Sequence, residues 1–148
     1  MSLAAKLRRA PGRIAAGAFI LNAGLSKLSG DAETAKALHA MAGNSYPVVR
    51  RIPAPLFLRM LAVGEIILGG LLLLPVVGPA LAGLALTGFA GGLLGFYVRT
   101  PGLHDDRMRP TQQGTPIAKD VWMAGIGVSL LLDAALSSTS RHRHARDD

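Results

Sequence analysis

The chain has 148 residues, half of them apolar and only 17% charged, with a mean hydropathy of +0.37. That apolar content excludes intrinsic disorder, and the charge falls short of the roughly 25% of an ordinary soluble domain. No cysteine occurs, which excludes disulfides, thiolate metal sites, cysteine-ligated iron–sulfur clusters and thiol redox chemistry in this chain.

The net charge of +7 raises the question of nucleic acid, but the basic residues are scattered between apolar runs and no aromatic residues interleave with them. Lys6, Arg8 and Arg9 make a basic N-terminal arm over residues 1–10. Basic clusters flanking apolar spans are the pattern an anionic bilayer surface favours. The expected partner is therefore the lipid bilayer and not nucleic acid.

The first apolar segment covers about residues 11–28, with Arg13 near its start and Asn22 and Lys27 in its second half. A cleaved signal peptide is the alternative reading, although Asn22 and Lys27 interrupt the apolar stretch such a peptide needs. Asp31 to Gly43 follows as a short amphipathic helix. Asp31 can cap it, Glu33 complements its dipole, and Ala35, Leu38, Met41 and Ala42 make one apolar face suited to a membrane surface.

From Met60 to Val98 the only ionisable group besides Tyr97 is Glu65. As a single helix this run would extend roughly 58 Å, about twice a hydrocarbon core. It must fold back, and Pro75, Gly78 and Pro79 mark the turn. Two spans result, over about 55–76 and 80–98. Residues 99–114 read as a polar loop containing Pro101, Gly102, Pro110 and Gly114. The last span covers about 116–136, with Thr115 as cap and Pro116 at the first helical position. A polar, basic tail covers 137–148; its His142 and His144 could hold a metal weakly, but a solvated tail is the preferred reading and no metal site is assigned.

The expected fold is thus all-α: an integral membrane, antiparallel four-helix bundle with a short amphipathic surface helix between spans one and two. Four spans put both termini on one side, and the basic arm argues for the cytoplasmic side. In the third span, Gly88–Gly92 and Gly91–Gly95 have G-x-x-x-G spacing. They predict close helix approach, within the bundle by preference or between copies in a homo-oligomer.

Charges at bilayer depth are costly and mark candidate sites. Glu65 falls near mid-span, and its partner must come from another helix, because Arg59 lies about 240° round its own. Lys27 and Lys119–Asp120 are expected on one side of the membrane, with Lys27–Asp120 as the buried pair. Arg13 and Asp133 are a possible interfacial pair near the other side. The candidate polar site is therefore Glu65, Lys27, Asp120, Asn22, Lys119 and Arg59.

Taken together these segments resemble the DoxX family of small bacterial membrane proteins. Arg13-Ile14, Gly17 and Ala23-Gly24-Leu25-Ser26-Lys27 are similar to its opening helix. Glu65 followed by Gly69 is similar to its second helix, and Lys119-Asp120-Val121-Trp122-Met123 with Gly125 to the start of its fourth. The resemblance implies a bacterial plasma-membrane domain associated with oxidoreductase subunits, including quinone-linked and oxidative-stress assemblies. It does not imply that the chain is an enzyme by itself.

Quinone chemistry needs a donor to the carbonyl oxygens and a proton carrier. Lys27, Asp120 and Glu65 suit those roles, with Asn22 polarising a carbonyl. No flavin, nicotinamide or intramembrane bis-histidine haem pattern occurs, so any redox cofactor is the quinone or belongs to a partner. A non-enzymatic binder or carrier of a lipid or small solute, and a structural scaffold, are the alternatives.

Overall fold

The structure, a computed structural model, describes the backbone of residues 3–144 and the side chains of residues 3–137. It is helical in its long elements. Helix α1 spans Leu3–Leu28, so the basic arm forms its first turns, with Pro11 inside the helix. Helix α2 spans Ala32–Ser45, where Asp31 accepts a hydrogen bond from the Thr34 amide at 2.8 Å as the expected N-cap. A 3-10 turn over Pro47–Arg51 leads into α3, Ala54–Leu73. Helix α4, Pro79–Arg99, follows the Pro75–Gly78 turn.

The last span departs from the expected single helix. A short turn of helix, α5, covers Thr115–Ala118 with Gly114 and not Thr115 at its N-cap. A break at Lys119–Asp120 then precedes α6, Val121–His144. The polar segment expected from residue 137 therefore continues α6. The side chains of Arg141, His142, Arg143, His144 and Arg146 lie outside the described residues.

Three segments are long and apolar enough to cross a membrane: Ala54–Leu73, Pro79–Arg99 and Thr115–Ser137. Their number is compatible with a multi-pass membrane protein. Their outward faces carry Leu56, Ile67, Leu81, Leu84, Trp122 and Leu132, all at least half exposed. So much exposed apolar surface is unusual for a soluble monomer and is compatible with bilayer contact. Helix α1 is not one of the three, because Arg13, Asn22 and Lys27 dilute its apolar run.

The helices associate in two tight pairs, α1 with α3 and α4 with α6, and the pairs touch each other only sparsely. Glycine sets each seam. A Cβ on Gly24 would lie 2.8 Å from the Ala62 carbonyl oxygen, and one on Gly69 would lie 2.8 Å from the Leu21 amide nitrogen. On the other seam, a Cβ on Gly83 would meet the Gly127 carbonyl oxygen at 2.8 Å. Only glycine lets the backbones approach this closely.

Aliphatic residues, large and small, fill one end of the molecule. Ala16, Ile20, Leu72, Ala82, Leu86 and Leu130 form part of the buried core there. Towards Lys27, Phe57 and Phe96 the pairs diverge, and the space between them stays open.

The G-x-x-x-G expectation needs correction. Added Cβ atoms at Gly88, Gly91 and Gly92 would meet nothing within 4 Å, and one at Gly95 would meet the Tyr46 hydroxyl. These glycines therefore make no helix–helix seam within the described chain. Gly83 and Gly127 do that instead. Gly125 likewise faces open space.

Candidate functional site

Divergence of the two helix pairs leaves a cavity of about 560 Å³. Ligand sites commonly measure about 300–1,000 Å³ and combine an apolar lining with a few polar groups. Here α1 contributes Phe19, Ile20, Ala23 and Lys27, and α3 contributes Phe57, Leu61 and Glu65. Helix α4 supplies Gly88, Phe89, Gly92, Leu93 and Phe96, whose two glycines widen the space by presenting no side chain. Pro116, Ile117, Asp120 and Met123 complete the far wall.

The apolar face of α2 turns towards the cavity. Leu38, Met41 and Ala42 close one end of the cavity, and Ala35 is buried. Tyr46 ties this closure to α4 by donating a 2.7 Å hydrogen bond to the Gly92 carbonyl. The Arg99 guanidinium sits 5.3 Å from the centre of the Tyr46 ring, a cation–π contact. His39 meets Phe57 edge-on at 5.8 Å between ring centres.

The polar feature of the wall is an ion pair. Lys27 Nζ donates to Glu65 Oε2 at 2.8 Å, with the Glu65 side chain 7% exposed and that of Lys27 21%. Gly24, one helical turn before Lys27, makes it possible, since its missing side chain lets Glu65 approach α1. Glu65 thus finds its partner on another helix, as expected. The partner corrects the Lys27–Asp120 pairing: Lys27 pairs with Glu65. Asp120 lines the same cavity from the α5–α6 break, and its carboxylate makes no ion pair or hydrogen bond among the described residues.

The remaining candidates fall away from this site. Asn22, Arg59 and Lys119 are exposed and do not line the cavity. Asn22 misses it because it points away from the α3 face that Gly17, Gly24 and Lys27 share, so it has no place in polarising a bound carbonyl. Lys119 and Asp120 are neighbours at a helix break, and only the second turns inward.

The Arg13–Asp133 pair also needs correction. Asp133 instead accepts from both Arg8 and Arg9, joining the start of α1 to α6. Arg13 is buried and donates to four main-chain carbonyls, those of Leu71, Leu72, Leu74 and Val77, at 2.7–2.9 Å. These carbonyls belong to the end of α3 and the turn after it, where helical partners run out. A cation there also complements the α3 dipole. Arginine's planar fork is suited to several acceptors at once.

Two features had no counterpart in the sequence reading. Thr87 Oγ1 is buried beside Gly127 and has no hydrogen-bond partner among the described residues. In the loop after α4, His104 places Nδ1 3.0 Å from the Asp105 carbonyl oxygen and Nε2 3.1 Å from that of Val98. Only the imidazolium donates from both nitrogens. These carbonyls, that of Asp105 foremost, raise the His104 pKa above its ordinary value.

No protein-family model matches the chain, and comparisons with curated proteins and with solved structures found no match.

Proposed function

We propose that the chain is a four-span, antiparallel membrane domain of DoxX type that receives the head of a membrane-borne quinone. In this reading it is the membrane subunit of an oxidoreductase assembly in a bacterial plasma membrane, with both termini cytoplasmic. The observation that carries the proposal is the Lys27–Glu65 pair in the wall of an otherwise largely apolar cavity that also contains the Asp120 carboxylate. Intramembrane charges are expensive and default to functional roles.

The helix order supports the architecture. Gly17 packs near Leu72, and Gly24 near Ala62, so α1 advances as α3 recedes. Arg13 and Lys27 also satisfy themselves on α3, which offsets the low hydropathy of α1 as a fourth span. The exposed Gly91 leaves an open surface through which a second copy could pack.

The residues fit a quinone head. Lys27 Nζ supplies N–H donors, and its partner Glu65 holds it at the cavity wall. Asp120 offers a carboxyl without a partner among the described residues on the opposite wall, suited to holding or passing a proton. A bound quinone would supply the electron-accepting chemistry, with electrons arriving from a partner subunit. The apolar walls exclude water and orient the ring plane.

Titrating the detergent-solubilised protein with a tail-less benzoquinone tests the proposal. Wild type should bind, and Lys27→Met should bind at least about tenfold more weakly while keeping its helical circular dichroism. Equal binding by both proteins would remove the cavity from consideration. The largely apolar lining also favours a second reading, a non-enzymatic lipid or solute carrier. That reading predicts binding of the apolar probe with no redox subunits retained on purification.

A further inference from the structure

A second depression lies on the outer side of Glu65. It measures about 340 Å³ and runs between α3 and α4. Met60, Gly64, Ile67 and Leu71 line it from α3, at the four-three-four spacing that forms one stripe along a helix. At the helical rise this stripe is about 16 Å long. Ala85 and Phe89 face it from α4. Apart from Glu65 at its inner edge, the lining is apolar.

The groove adjoins the cavity. Leu61, Glu65 and Phe89 line both spaces and form a shared wall between them. The helices beside them are loosely joined, since α3 and α4 touch only sparsely. Gly64 keeps the groove open: a Cβ there would meet nothing within 4 Å. Glu65 is buried, and α1 reaches it through Lys27.

We propose that this groove holds the hydrocarbon tail of the same molecule whose polar head lies at the Lys27–Glu65 pair. The inference rests on the quinone-head reading and extends it: the ligand is an amphiphile with a linear isoprenoid or alkyl tail. The head enters sideways between α3 and α4, past Leu61 and Phe89. The tail then lies along the α3 stripe towards Leu71. The shared wall gives the chain a direct way from the 560 Å³ cavity onto the outer face of α3.

Two ligands and two variants test this. A decyl-tailed benzoquinone and its tail-less methyl analogue are titrated against wild type, Gly64→Leu and Ile67→Trp in one detergent. The same detergent cancels micelle partitioning when proteins are compared. Both variants fill the groove from exposed positions of α3 without touching the cavity, so their folding is checked by helicity and monodispersity.

The expected result is about tenfold weaker binding of the tailed ligand by either variant, with the tail-less ligand changed less than about twofold. Equal weakening of both ligands, or of neither, overturns the tail groove and leaves the head site standing. If wild type binds neither ligand, the head site itself fails and the groove proposal with it. A phospholipid that co-purifies with wild type and is lost in Gly64→Leu, while decyl-quinone affinity is unchanged, assigns the groove to a membrane acyl chain and also overturns the proposal.

Discussion

Lys27 and Glu65 are 38 residues apart in the chain, yet their side chains meet at 2.8 Å. The contact joins the end of α1 to the middle of α3, and neither partner is well exposed. Removing one charge leaves the other in an apolar wall. Glu65→Gln or Lys27→Met should therefore destabilise the protein by about 2–4 kcal/mol, below the full cost for a deeply buried pair because Lys27 is partly exposed. The double variant should lose less than the sum of the two. Thermal unfolding in detergent of the four proteins measures the coupling, and strict additivity would contradict the pair.

Arg13 acts on backbone and not on a carboxylate. Arg13→Leu leaves the end of α3 with unmet carbonyls and should cost about 3 kcal/mol. Arg13→Lys should recover only part of this, since a single ammonium cannot span the four acceptors. Hydrogen exchange localised to residues 71–77 checks the assignment. Unchanged protection there in Arg13→Leu would refute it.

Thr87 carries a buried hydroxyl with nothing to bond among the described residues. Replacing it by valine keeps the shape and removes the unmet group. Thr87→Val should be neutral or stabilising by about 1 kcal/mol. A clear fall in melting temperature would show that the hydroxyl has a partner at the α4–α6 seam.

Acidity should act on the loop between α4 and α5 through His104. Its folded pKa is raised, so its contribution is complete below the ordinary value of 6.5 and is lost as pH rises through the raised value. Asp105 and Asp106 add to the effect, and the Tyr97 ring lies 5.4 Å away. Amide exchange around Val98 and Asp105 should accelerate at alkaline pH in wild type. In His104→Gln it should be fast at every pH. A pH-independent loop in wild type would exclude the two-donor imidazolium.

Asp31 has the opposite sign. Hydrogen bonding from Thr34 lowers its pKa, so its support of α2 is present above the ordinary carboxylate value and lost as pH falls through the lowered one. Acidification should fray the first turn of α2, as should Asp31→Ala at neutral pH. Amide exchange at Thr34 reads both. Slow exchange at that amide in Asp31→Ala would contradict the cap.

Local chemistry was the most legible part of the sequence. Proline and glycine announce the turn between α3 and α4, and an aspartate followed by a glutamate announces the start of α2. Glu65 stood out because it is alone among apolar residues, which also required its partner to lie on another helix. Which helix was not legible. Axial position alone favours Asp120 for Lys27, whereas the deciding factor is how closely Gly24 lets α3 approach. The break at Lys119–Asp120 was hidden for a related reason, since its residues are compatible with a continuous helix.

Arg13 shows a different limit. Its partners are main-chain carbonyls, which no residue type advertises, so a search for acidic partners led to Asp133. The glycines from Gly88 to Gly95 announce missing bulk without saying what uses the space. Three of the four border open space and one accommodates a tyrosine hydroxyl. Spacing reports a capacity, and packing decides its use.

Each tight helix pair is also a continuous half of the chain, with α1 and α3 before the turn at Gly78 and α4 and α6 after it. Two embedded cations of the first half find their partners within it: Lys27 meets Glu65, and Arg13 meets carbonyls no later than Val77. If the first half enters lipid as the proposed hairpin, neither Lys27 nor Arg13 waits for residues still inside the ribosome. The second hairpin then meets a wall already formed, and the clasp of Asp133 on Arg8 and Arg9 closes late. Biogenesis in two instalments follows from the way the seams divide the chain.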